Sequence, residues 1–178
     1  MRNPAARFLL AAALLLTGHA YAQDKKMPED KSKRPSPPAT ATALVGGATV
    51  TIDYSRPAMK GRKVFGGLVP YNAVWRTGAN EATIFTVDKP VKIEGQALPA
   101  GKYALFTIPG ATEWTVIFNK TANQWGAYEY DQKQDALRVK VKPMKTAAPV
   151  EQFNVTTAKA GTVTMAWEST QASFKVSK

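Results

Sequence analysis

Residues 56–81, RPAMKGRKVFGGLVPYNAVWRTGANE, gather the cations Arg56, Lys60, Arg62, Lys63 and Arg76 around Tyr71, Trp75, Asn80 and Glu81. Guanidinium forks hold carboxylate, sulfate or phosphate in a bidentate manner, and indole or phenol faces stack on sugar rings and other planar groups. The stretch is therefore expected to bind a small polar or anionic ligand, such as a glycan fragment, through Arg56, Arg62, Trp75, Arg76, Asn80 and Glu81. A structural alternative competes with this. Arg56 and Arg76 could pair with Asp53 and Glu81 and pin a long loop to the body of the protein, while Trp75 joins the core.

A second stretch, residues 120–135, carries Trp125, Tyr128 and Tyr130 beside Asn123, Gln124, Glu129, Asp131 and Asp135. Aromatic rings interleaved with amides suit a carbohydrate groove, so Trp125 and Tyr128 join the candidate binding residues. Equally, they could cover an open end of the fold. Calcium at Asp131 and Asp135 would need the EF-hand spacing and its glycine, which are missing. No metal and no cofactor are expected. Further on, Arg138, Lys140 and Lys142 alternate with Leu137, Val139 and Val141, which places three cations on one face of a strand. Such a stripe either meets anionic polymers or serves as a solvated face that discourages edge pairing.

The residues that are missing narrow the chemistry further. There is no cysteine, and the single histidine is His19. That histidine lies in a segment with the marks of a secretory signal peptide: Arg2 and Arg7, the apolar run of residues 8–16, and Ala20-Tyr21-Ala22. Cleavage is expected after Ala22, giving a periplasmic or extracellular protein. The exported chain would then have neither imidazole nor thiol. A Ser-His-Asp triad, a histidine base and thiolate or imidazole metal sites are excluded from it. Catalysis would fall to carboxylates, lysine, tyrosine, serine or threonine, with Glu81 and Asp53 as the nearest carboxylate pair for a hydrolase. Neighbouring arginines would keep both ionised, which suits structure better than proton donation. A binding domain is the leading expectation. A structural or protein-interaction module and a carboxylate-based hydrolase are the alternatives.

Residues 23–40, QDKKMPEDKSKRPSPPAT, hold one large apolar residue, Met27, and read as a flexible tether. The whole chain carries a net charge of +11. Two of these charges lie in residues 1–22, and residues 23–40 carry two more, so the domain from residue 41 to 178 keeps +7. That field attracts anionic glycans or other anionic envelope components, and export argues against a nucleic-acid partner. The apolar run near the N-terminus is too short to span a bilayer, and no later stretch is longer.

From residue 41 onward the pattern has period 2, seen most clearly where Val50, Ile52 and Tyr54 alternate with Thr49, Thr51 and Asp53. Strands are expected over residues 42–45, 48–55, 83–87, 91–93, 103–108, 114–119, 137–142, 151–157, 162–168 and 172–176, separated by Gly- and Pro-bearing turns. About ten short antiparallel strands without a helical period imply an all-β fold, a β-sandwich or a jelly-roll-like barrel. The two chemistry-bearing stretches are the long loops of that fold, where functional residues concentrate.

The strings VTIDYSRPAMKGRKVFGGLVPYNAVWRTGANEAT, LPAGKYALFTIPG, EWTVIFNK and NQWGAYEYD resemble an uncharacterised family of exported bacterial domains of unknown function. The resemblance covers about residues 35 to 176. It implies that Tyr54, Arg56, Pro57, Gly61, Arg62, Trp75, Arg76, Thr77, Gly78, Asn80, Glu81, Trp125 and Gly126 lie in signature strings. It carries no established activity.

Overall fold

The computed structural model describes residues 30–178. The expected signal peptide, its cleavage after Ala22 and residues 23–29 of the expected tether lie outside these residues. Ten strands form two sheets: β1 (Pro38–Val45), β2 (Ala48–Ser55), β3 (Thr83–Val87), β4 (Val91–Ile93), β5 (Gln96–Leu98), β6 (Gly101–Ile108), β7 (Trp114–Asn119), β8 (Asp135–Val141), β9 (Met144–Thr157) and β10 (Thr162–Ser177). One sheet has the order β1-β2-β3-β6-β7-β8 and the other β5-β4-β10-β9, with every pairing antiparallel. The fold is an open two-sheet sandwich, and of the two expected architectures the closed barrel is not the one formed.

Alternation sets which residues face inward. In β2, Val50, Ile52 and Tyr54 are buried while Thr49 and Asp53 are exposed. The β1–β2 hairpin closes on two glycines, Gly46 and Gly47, with φ of 56° and 82°, between the paired residues Val45 and Ala48. Positive φ at both central residues defines the type I′ turn, whose twist matches the flanking strands. Aromatic rings fill the space between the sheets. Trp75 stacks on Trp167 at 6.0 Å, Phe65 meets Trp114 edge-on at 4.8 Å, and Phe85 meets Phe118 at 5.0 Å. A smaller apolar cluster of Ala82, Ala104, Phe106 and Ile117 lies on the opposite face of the larger sheet, with Ala127 and Tyr130 packed against it. The stretch 120–134 thus covers the outer face of that sheet.

Several expected boundaries shift. The two strands expected at residues 162–168 and 172–176 are the single strand β10, whose pairing with β9 is irregular around Glu168. Inward positions are Val163, Met165 and Trp167 before the irregularity and Ala172, Phe174 and Val176 after it. The phase change from odd to even numbers is what a bulge produces, and in sequence it reads as an interruption. Strand β5 has only three residues, paired with β4 across Glu94-Gly95. At the start of the domain, β1 begins at Pro38 rather than near residue 42, and the Arg56 N–H donates to the Pro37 carbonyl at 2.9 Å. Residues 30–40 belong to the folded body.

One side chain ties the two sheets together by hydrogen bonding. Tyr54 on β2 donates from its hydroxyl to Asn154 Oδ1 at 3.1 Å and accepts the Val155 N–H at 3.0 Å, both on β9. Tyr54→Phe leaves that buried N–H without its acceptor and is expected to cost about 1–3 kcal/mol. The check is a urea titration, in which the midpoint falls at unchanged slope. An unmoved midpoint would mean that apolar packing alone holds the sheets in register.

Candidate functional site

The loop of residues 56–82 enters the core and leaves it again. Val64, Phe65, Val69 and Trp75 are all buried. Trp75 is held on both sides of its peptide: its N–H donates to the Thr107 carbonyl at 2.8 Å and its carbonyl accepts the Thr107 N–H at 2.9 Å. Its indole Nε1 donates to the Gly78 carbonyl at 3.1 Å. Between these anchors the backbone is forced into unusual conformations, with φ of 54° at Thr77, 156° at Gly78 and 60° at Asn80. Positive φ at a β-branched residue costs on the order of 1–3 kcal/mol and persists only where the surroundings over-determine it. They do so here. Thr77 is fully buried, its hydroxyl lies 3.2 Å from the Thr107 hydroxyl, and its carbonyl accepts from Thr83 Oγ1 at 2.6 Å. A Cβ at position 78 would stand 3.0 Å from the Ser55 carbonyl oxygen, so this turn needs glycine.

The consequence is that the two charged ends of the turn, Arg76 and Glu81, serve different cavities. Arg76, Arg62 and Trp75 line a cavity of about 390 Å³ with Leu68, Pro70 and Trp167. No acidic residue lines it. Arg62 is anchored, with Nε donating to the Met59 carbonyl and Nη2 to the Ala58 carbonyl, each at 2.9 Å. Arg76 is not. Its Nε is buried without a partner, and its side chain makes no hydrogen bond or ion pair among the described residues. Burial pulls the Arg76 pKa below its ordinary value, and the field of the Tyr128 phenol opposes that pull only in part.

Glu81 and Trp125 line the second cavity, about 430 Å³, together with Asp53, Asn123 and Gln124. The expected Arg76–Glu81 and Arg56–Asp53 pairs do not form. Glu81 is instead clamped by Lys31 Nζ at 2.9 Å and Arg34 Nη1 at 2.8 Å, both from the segment that sequence alone reads as a tether. Asp53 accepts from the Thr40 hydroxyl at 2.6 Å. Arg56 uses Nε on the Phe153 carbonyl at 3.2 Å, and Asn80 donates from Nδ2 to the Ser36 carbonyl at 3.0 Å and to Ser55 Oγ at 3.2 Å. Arg56 and Asn80, expected among the binding residues, instead make contacts that hold the fold and line neither cavity. Tyr128 is exposed and also lines neither, and Trp125 is exposed at the second cavity. Among the described residues no group of three or more acidic, histidine or cysteine side chains could hold a metal ion, and no helix is long and apolar enough to cross a membrane.

The second long loop is laced to the first. The Ala82 N–H donates to the Gln124 carbonyl at 3.0 Å and the Gly126 N–H to the Asn80 carbonyl at 3.2 Å. Its far end is latched by Asp135, which accepts from Asn119 Nδ2 at 2.8 Å, Tyr130 Oη at 2.7 Å and Arg138 Nε at 2.7 Å. Burial and the neighbouring Asp135 carboxylate push the Tyr130 pKa up to about 12. Arg138 is thus a partner in the latch, and only Lys140 and Lys142 of the cationic stripe are exposed.

The residues missed by sequence reasoning are Lys31, Arg34 and Trp167. Only Trp167 carries a signal, as an inward position on a period-2 strand. The other two act through contacts that no local pattern announces.

Fold and cavities define the class: an antiparallel β-sandwich with two cavities beside its long, interlaced loops. Residues 36–176 match the family described as Protein of unknown function (DUF2911), and the chain belongs to that family. Comparison with curated proteins and with solved structures gives no match.

The Glu81 clamp makes a pH-dependent prediction. Burial would raise its pKa, but hydrogen bonds from Lys31 and Arg34 and the Lys31 charge lower it from 4.5 to about 2. A carboxylate with a lowered folded-state pKa stabilises the fold above its unfolded value and loses that contribution as the pH falls toward the folded one. Hydrogen exchange of residues 31–37 should therefore be slowest, relative to the chemical rate, at about pH 6, and protection should weaken by about pH 3. In Glu81→Gln, protection of this segment should be low at both pH values. Equal protection in wild type and variant would show that Pro37 and Ser36 contacts alone hold it.

Proposed function

We propose that the protein is a binding domain for a small ligand that joins an anionic group to a flat apolar body. The anion sits on Arg76, with Arg62 as a second cation on the same wall. One observation carries this reading: a half-buried guanidinium without partner among the described residues lines a cavity whose wall has no acidic residue. A desolvated cation without counter-charge is unfavourable, and a carboxylate or phosphate arriving at its fork relieves that cost while gaining a charge-assisted, bidentate contact. The rest of the wall suits the apolar part of such a ligand. Trp75, Trp167, Leu68, Val69 and Pro57 supply ring faces and aliphatic surface.

The backbone strain beside Arg76 supports the same reading. Outliers stored next to a free charged group mark a segment shaped for contact rather than for stability alone. The N-terminal residues 1–22 support export, so we place the protein in the periplasm or outside the cell, where acidic sugars and other anionic envelope components are available ligands.

Phenyl phosphate, benzoate and glucuronate serve as probes, with inorganic phosphate as the control lacking a body. At least one of the three is expected to bind wild type in calorimetry. Arg76→Met should weaken it by at least about tenfold, and Arg76→Lys should retain part of the affinity. The same Arg76→Met variant should leave stability unchanged or raise it by about 1 kcal/mol, because an unpaired buried cation is replaced by an apolar side chain of similar length. Loss of more than about 2 kcal/mol, with no binding of any probe to wild type, would make Arg76 a structural residue and leave the interaction-module reading standing.

A further inference from the structure

The second cavity differs in chemistry from the first. Its charged lining residues cancel: Lys31 and Arg34 against Asp53 and Glu81. Both Glu81 oxygens are taken, by Lys31 and by Arg34. Asp53 Oδ1 accepts from Thr40, while its Oδ2 accepts nothing among the described residues. Lys31 is half-exposed and spends one of its three donors on Glu81. The wall therefore offers both a free acceptor and free donors without a net field.

Trp125 adds a platform. It is 56% exposed, whereas the other three tryptophans, Trp75, Trp114 and Trp167, are 8% exposed or less. Its backbone is fixed by the bridge to Glu81, so the indole is presented rather than loosely tethered. Gln124, 7% exposed, lines the same cavity, and its Oε1 has no hydrogen-bond partner although Nε2 donates to the Thr121 carbonyl at 2.6 Å. Buried polar atoms are as a rule satisfied, and a ligand hydroxyl or amide N–H satisfies this one where the Gln124 amide turns toward the cavity it lines.

From this geometry we infer that the second cavity is a binding site for a neutral saccharide, distinct from the anion site at Arg76. A pyranose ring presents an apolar C–H face to an indole and a rim of hydroxyls that both donate and accept. An anion gains nothing from a wall of zero net charge, and a purely apolar ligand would cover Asp53 Oδ2 and the remaining Lys31 donors without satisfying them. A volume of about 430 Å³ accommodates one or two sugar rings. The segment carrying Lys31 and Arg34 forms one side of the cavity and the second loop, through Trp125, another. The sugar is held between two loops that the Glu81 clamp and the Glu81–Trp125 bridge keep in place.

Cellobiose, maltose and N,N′-diacetylchitobiose, titrated into isotope-labelled protein to about 20 mM, test the assignment by NMR of the four indole N–H signals. The Trp125 signal, identified by its loss in Trp125→Phe, is expected to shift along a saturable curve with at least one disaccharide while the three buried indoles stay still. Asp53→Asn and Trp125→Ala should each weaken that binding by about tenfold or more, and Arg76→Met should leave it within about twofold. A Trp125 signal unmoved by all three sugars overturns the inference, as does unchanged affinity in Asp53→Asn. Loss of the sugar response in Arg76→Met would assign the sugar to the other cavity and also overturns it. Because that variant removes anion binding and spares sugar binding, the two proposals fail independently. Should Trp125→Ala prove unfolded, Asp53→Asn alone decides, since Asp53 is exposed at the surface of β2.

Discussion

The loop end of this sandwich depends on how Trp75 is held. Two backbone hydrogen bonds to Thr107 tie it to the larger sheet, and its ring lies against Trp167 of the smaller one, with Phe65 and Phe153 closing in edge-on. A residue anchored to both layers fixes where the chain must be next. The turn that follows has only Arg76 to Ala82 in which to return to β3, and the Arg76 carbonyl must still accept the Thr83 N–H at 3.2 Å. Closure over so few residues is what drives Thr77 and Asn80 into positive φ. Strain at these positions follows from the anchoring of Trp75 and Thr83, and it sets the directions of the two charged side chains that flank the turn.

Charge is then distributed unevenly. Glu81 receives two cations from a segment some fifty residues earlier in the chain, and Arg56 finds a carbonyl on β9. Arg76 receives no hydrogen bond or ion pair among the described residues. The arrangement is unexpected for adjacent residues of opposite sign, since five positions along a flexible loop allow a salt bridge. The reversed backbone between them removes that option. Arg34, with a side chain only 13% exposed, does the work that Arg76 is well placed in sequence to do. An ion pair formed across such a sequence separation closes a long loop, so its entropic cost is offset by the strand β1 that the same segment goes on to form.

Much of the fold was legible because burial on one face of a sheet writes period 2 into the sequence, as at Val50, Ile52 and Tyr54. Legibility failed where the period changed phase, as at Glu168, and where a strand was too short to show any period, as at residues 96–98. It failed for a different reason at Lys31 and Arg34. Exposed lysines and arginines among prolines and serines have the composition of disorder, and their partner lies far away in the chain. Within the candidate site, residue types pointed to the two long loops, and Arg62, Trp75, Arg76, Glu81 and Trp125 line cavities there. What residue types could not convey was the division of these residues between two cavities, because that division rests on φ angles at Thr77, Gly78 and Asn80.

Three departures from ordinary protein chemistry meet in the span from Arg76 to Asn80: a β-branched residue with positive φ, a second non-glycine residue with positive φ, and a cation with no hydrogen bond or ion pair among the described residues. Elsewhere among the described residues, two buried side-chain atoms lack a hydrogen-bond partner, Trp114 Nε1 and Gln124 Oε1. Trp114 Nε1 is a buried donor lacking an acceptor. Its ring sits deep in the core, 1% exposed and 4.8 Å from Phe65, and it borders neither cavity. A neutral indole N–H left unpaired costs about 1–3 kcal/mol, whereas a charged group so treated costs more. An isolated lapse of the first kind is tolerable packing. Here two residues with positive φ and a cation with no hydrogen bond or ion pair among the described residues lie within five positions of a loop that borders a cavity, and the proposed anion site rests on that combination.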